Sequence, residues 1–76
     1  MNIVVIFHFA SGLSRSTIVK AESIEEASDY IYSKLEVVGQ ALFEVNKMNS
    51  DNFMSEKVEE FEVFRNHVMF IDYEVQ

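Results

Sequence analysis

Residues 3–10, Ile3-Val4-Val5-Ile6-Phe7-His8-Phe9-Ala10, are apolar on both faces when extended. One face carries Ile3, Val5, Phe7 and Phe9, and the other Val4, Ile6, His8 and Ala10. A strand with one wet side alternates apolar with polar residues; a nearly continuous apolar run calls for cover on both sides. The chain offers one strong helix, enough for one face of a small sheet. The second face needs another cover, and a partner chain is the simplest.

Size sharpens that demand. Seventy-six residues make one domain, and chains this short bury only about 60% of their unfolded surface. Disulfides, a metal or assembly usually compensate. Cys is absent, so disulfides and thiolate metal sites are excluded. His8 and His67 are too far apart in sequence to suggest a His-based structural metal, and no cofactor is expected. Packing or assembly remains.

Residues 2–10 and 13–21 read as a hairpin around Ser11-Gly12, with Gly supplying the positive φ of a tight turn. A two-residue loop pairs Ala10 with Leu13, His8 with Arg15, Ile6 with Thr17 and Val4 with Val19. Ser14, Arg15, Ser16 and Thr17 make the second strand polar, as suits an edge. Ser23-Ile24-Glu25-Glu26 then fits a capping box. Its acids also suit the positive end of a helix. Ile24, Ala27, Ile31, Leu35 and Val38 recur at spacings of three and four, giving one apolar stripe. Glu25, Asp29, Tyr32 and Glu36 lie on another side. Gly39 stands where a helix commonly ends.

Residues 40–48 read as a strand, with Ala41, Phe43 and Val45 on one face. Asn49-Ser50-Asp51-Asn52 is a polar turn. Residues 53–62 fit either state. Met54, Val58, Phe61 and Phe64 have helical spacing and Ser55 could cap, whereas Phe61-Glu62-Val63-Phe64 suits a strand from about 58 to 65. Phe64-Arg65-Asn66-His67-Val68 reads as a hairpin turn, Asn being tolerant of the left-handed conformation. The last strand, 67–75, places Met69, Ile71, Tyr73 and Val75 on one face and Val68, Phe70, Asp72 and Glu74 on the other.

The expected fold is therefore α+β: a small, mostly antiparallel sheet with one packed helix, in the order β-β-α-β-β-β. An N-terminal hairpin, a helix from residue 23 and a strand near 41 resemble the β-grasp order of ubiquitin-like modules over residues 2–47. The terminal Tyr73-Glu74-Val75-Gln76 has no Gly-Gly pair.

The net charge of −7, thirteen acids against six bases, disfavours direct nucleic-acid binding, which needs cations to displace counterions. It disfavours anionic membranes as well. No run approaches the ~18 apolar residues of a membrane span. The apolar start lacks a basic n-region, and without Cys or an export signal a cytoplasmic location is expected. Ser11, Ser14 and Ser16 near His8 invite a hydrolase reading. In the register above, however, Ser14 and Ser16 project away from His8, and no nucleophile elbow is present. His67 reads as a surface turn residue. No enzyme is expected.

Two surfaces remain. The first is the second sheet face, with Val4, Ile6, Leu13, Val68 and Phe70 as expected interface residues of a homodimer or another protein contact. Val19 joins them in the assumed register. The second is acidic: Glu25, Asp29 and Glu36 on the helix, with Glu56, Glu59 and Glu60 further on. Such carboxylates could imitate nucleic-acid phosphates, as in small phage and mobile-element inhibitors that occupy basic, nucleic-acid-binding proteins.

Overall fold

The computed structural model describes residues 1–45 and 59–76. Among the described residues, five strands and one α-helix follow the expected order: β1 Asn2–Phe9, β2 Ser14–Lys20, α1 Ile24–Val38, β3 Gln40–Glu44, β4 Glu60–Phe64 and β5 Val68–Val75. All pairing is antiparallel. The strands divide between a three-stranded sheet ordered β2-β1-β5 and a two-stranded sheet of β3 and β4. The likeness to the β-grasp order is thus one of element order.

The helix forms where its caps stand. Ser23 is extended at the N-cap, and its Oγ accepts from the Glu26 N–H at 3.1 Å. The Glu26 carboxylate reaches back to the Glu22 N–H at 3.2 Å, one residue before the position a standard capping box uses. Gly39 takes the left-handed C-cap at φ 75° and donates to the Leu35 carbonyl. Ala27, Ile31 and Leu35 are buried. Ile24 is a correction to the stripe: at the first helical turn, beyond the sheet's cover, it stays 43% exposed. The Val38 side chain lies outside the described ones.

The hairpin loop is one residue longer than expected. Gly12 N–H donates to the Phe9 carbonyl, and Phe9 N–H donates to the Leu13 carbonyl. Ala10, Ser11 and Gly12 therefore form a three-residue loop, with Gly12 at φ 92° as its left-handed closing residue. The register shifts by one: His8 faces Ser14, Ile6 faces Ser16, Val4 faces Ile18 and Ile3 faces Val19. A one-residue slip exchanges the faces of a strand. Val19 accordingly packs in the core, 8% exposed, and Leu13 lies beyond the start of β2, 60% exposed.

The core gathers Ile3, Val5 and Phe7 of β1, Val19, the three buried helix residues, Phe43 and Val63. Phe7 is the hub: its ring lies 5.0 Å from Phe43 and 6.1 Å from Phe61, centroid to centroid. So α1 and the β3–β4 sheet share the cover of one face of the larger sheet. Lys34 closes the seam, with Nζ 4.5 Å from the Phe43 ring centre and donating to the Leu42 carbonyl at 2.9 Å.

Two chain connections differ from the sequence reading. Residues 64–68 do not close a hairpin; a 3-10 turn, Arg65–His67, carries the chain from β4 in one sheet to β5 in the other. Residues 60–64 are strand, whereas the helical option for 53–58 and the turn at 49–52 lie outside the described residues. Second, the β1–β5 ladder breaks at His8/Phe9, where Phe9 faces Val68 while His8 faces Phe70. Met69 is the extra residue of a bulge, and it turns Val68 onto the core.

Candidate interaction surface

The register fixes the composition of the outer face of the β2-β1-β5 sheet. Val4, Ile6 and His8 of β1 lie between Ile18, Ser16 and Ser14 of β2 and Glu74, Asp72 and Phe70 of β5. Of the five expected interface residues, the structure brings three together here: Val4, Ile6 and Phe70. Leu13 and Val68 are corrections, one displaced by the longer loop and the other by the bulge. Ile18, which the assumed register sent to the opposite face, takes their place.

These residues differ in what they leave open. Val4 is only 5% exposed and adds little open area. Ile6 and Ile18 are half-buried, and Phe70 is 54% exposed. No described element lies over this face: α1 and β3–β4 are both on the other side. The cover imagined from Phe53 and Met54 lies outside the described residues.

At the β5 end of the face, the His8 ring stacks on Phe70 with centroids 4.2 Å apart and an angle of 14° between planes. Its Nε2 stands 2.9 Å from Asp72 Oδ2. The shifted register puts Ser14 across from His8, on the same face, which corrects the earlier separation of the two. Asp72, His8 and Ser14 thus form a row, but no hydrogen bond joins Ser14 to His8 among the described residues. The row lies on an open sheet surface rather than in a pocket, and acyl-transfer chemistry needs both a bonded nucleophile and an oxyanion site. His67 is exposed in the 3-10 turn and lines an open cleft with Phe9, Ser11, Glu62 and Phe64. Ser11 Oγ there accepts from the Leu13 N–H of its own loop at 3.4 Å.

The described residues of the expected acidic surface lie on two different elements. Glu25, Asp29 and Glu36 are exposed along α1. Glu59 and Glu60 are exposed at the start of β4, with Glu60 directly across from Glu44, and Glu56 lies outside the described residues. Among the described residues no three His, Asp or Glu side chains gather as a metal site, and no helix is long and apolar enough to cross a membrane.

Under the sheet, the Tyr73 hydroxyl is buried and has no hydrogen-bond partner among the described residues. Burial pushes its pKa up from 10.0. Ser28 on α1 works in the opposite direction, but no bond of good geometry joins the two oxygens, so burial prevails.

Comparison with family models, curated proteins and solved structures finds no match to this chain.

Proposed function

We propose that this chain is a non-enzymatic, cytoplasmic interaction module that forms a homodimer by packing the outer face of its β2-β1-β5 sheet against the same face of a second copy. The observation that carries this reading is the diagonal Ile18, Ile6 and Phe70, with Ile6 at the centre of a face that no described element covers. Apolar groups placed together and left open gain from any contact that removes them from water.

Charge supports self-association through this face. Lys20 stands on the outer face at the end of β2, and Glu74 stands on it near the matching end of β5. A two-fold axis along the strands lays β2 of one copy over β5 of the other, so that Lys20 meets Glu74 twice. Aligned sheet packing of this kind is a common solution for two apolar faces. Three strands spaced about 4.8 Å apart and eight residues long give a footprint of roughly 400 Å² per copy. That is below the roughly 800 Å² of a standard interface, so the dimer is weak and concentration-dependent.

Light scattering on a size-exclusion column, across a range of concentrations, tests this. The wild-type chain passes from monomer to dimer, and Ile6→Asp, which sets a carboxylate at the centre of the contact, stays monomeric with its helix signal intact. A wild-type monomer at every concentration, or a folded Ile6→Asp dimer, would sink the proposal. The second reading, an acidic inhibitor of a basic nucleic-acid-binding protein, is favoured by the exposed row Glu25, Asp29 and Glu36; its mark is binding that charge reversal of that row abolishes and that salt weakens steeply.

A further inference from the structure

β5 is the outermost strand of its sheet, and no described strand pairs with its far side. The direction of its backbone groups follows from the ladder. Gln76 N–H donates to the Asn2 carbonyl, so residues 2 and 76 are a hydrogen-bonded pair. Such pairs alternate along an antiparallel ladder, so Phe70, Asp72 and Glu74 turn their N–H and C=O groups towards β1. Ile71, Tyr73 and Val75 turn theirs outward, off the edge. The edge of β3 is different, since Lys34 already occupies the Leu42 carbonyl.

Helix α1 runs beside the outer edge of β5. Tyr32, Leu35 and Glu36 on the helix, with Arg65, Val68 and Ile71 across from them, enclose a groove of about 210 Å³. Glu25, Asp29, Tyr32 and Glu36 recur at spacings of four, three and four, which makes them one helical stripe. Tyr32 and Glu36 place that stripe on the groove wall. On the other side of the edge, Asp72 and Glu74 project onto the outer sheet face. The edge therefore has outward backbone donors and acceptors, an apolar floor on the helix side, and carboxylates on both flanks.

We propose that this edge accepts an extended segment of a partner protein, added as a strand beside β5, in which apolar residues alternate with Lys or Arg. Strand addition draws its affinity from main-chain hydrogen bonds and its selectivity from alternate side chains. Successive side chains of the added strand point to opposite faces. Those on the helix side meet Tyr32 and Leu35 and are apolar; those on the outer side stand beside Asp72 and Glu74 and are basic. A second copy is the poorer occupant of this edge, because pairing β5 with β5 sets Asp72 and Glu74 of one copy beside those of the other. Face-to-face dimerisation leaves the β5 backbone edge of each copy outside the contact; the two contacts share Glu74, whereas Glu36 on α1 belongs to the edge contact alone.

The test is amide hydrogen exchange by NMR on the whole chain, with and without a synthetic peptide of alternating Val and Lys. The expected result is fast exchange at Ile71, Tyr73 and Val75 in the free chain and slow exchange with peptide, while Phe70, Asp72 and Glu74 are protected throughout. A Val–Glu peptide has no effect, and the exposed-site variant Glu36→Lys, which lies outside the dimer face, weakens Val–Lys binding by about tenfold. The proposal is overturned if exchange at Ile71, Tyr73 and Val75 ignores the peptide, or if the Val–Glu peptide binds equally. It is also overturned if those amides are slow without peptide: protection that rises with concentration assigns the edge to a second copy, and protection independent of concentration assigns it to the chain itself.

Discussion

Phe70→Ala offers the sharpest measure of the outer face. Phe70 is 54% exposed, and of the roughly 200 Å² that a Phe side chain offers, about 110 Å² remains to be buried. At about 25 cal/mol per Å², full burial contributes roughly 2.7 kcal/mol per copy. A symmetric dimer uses the residue twice, so the ceiling is about 5 kcal/mol. Side-chain ordering and lost rigid-body freedom consume part of this. Even a third of the ceiling, about 1.8 kcal/mol, raises the dissociation constant roughly twentyfold. Within the monomer the substitution removes the stacking of Phe70 on His8 and the partial burial of its ring, together about 3 kcal/mol, so the folding of the variant is measured alongside. Sedimentation equilibrium on both chains, with circular dichroism as a check of folding, reads the difference. A wild-type dimer whose dissociation constant is unchanged in a folded Phe70→Ala chain would refute the assignment of this face.

Two further outcomes concern the fold beneath that face. Ile31→Ala, at a fully buried position, lowers unfolding free energy in urea by about 3 kcal/mol, whereas Ile24→Ala at the exposed start of the same stripe costs under about 1 kcal/mol; equal losses would contradict the observed packing of α1. For Tyr73 the sign follows from a folded pKa above the ordinary 10.0: above pH 10 the unfolded chain gives up its proton first, so stability is full below that pH and falls as pH rises through it. Tyr73→Phe removes this contribution to the alkaline loss, and by deleting a buried hydroxyl with no partner among the described residues it leaves stability at neutral pH equal or higher. A steeper alkaline loss in the variant would reverse the argument.

The helix was legible in the sequence because every signal for it is local: Ser23 caps by a hydrogen bond three residues away, Ala27, Ile31 and Leu35 share a face by helical period alone, and Gly39 ends it by its own left-handed φ. The α+β class and the edge character of β2 were legible for the same kind of reason, since period and polarity belong to single segments. The apolar second face of β1 was also visible in sequence, and the structure leaves it without a described cover.

What sequence left open were relations between segments. Whether Ser11-Gly12 or Ala10-Ser11-Gly12 forms the loop is a difference of one residue with little local signal. Strand faces alternate with period two, so that residue decides whether Val19 or Ile18 joins the core. The bulge at Met69 decides likewise for Val68, and it arises only where β1 and β5 meet. No local pattern told that β4 and β5, joined by three residues, belong to different sheets, because strand pairing depends on which apolar faces close around Phe7. Local chemistry thus determined which segments are helix or strand and that β1 is apolar on both sides. Tertiary packing decided which side chains share each face, because register and sheet membership come from contacts between residues distant in the chain.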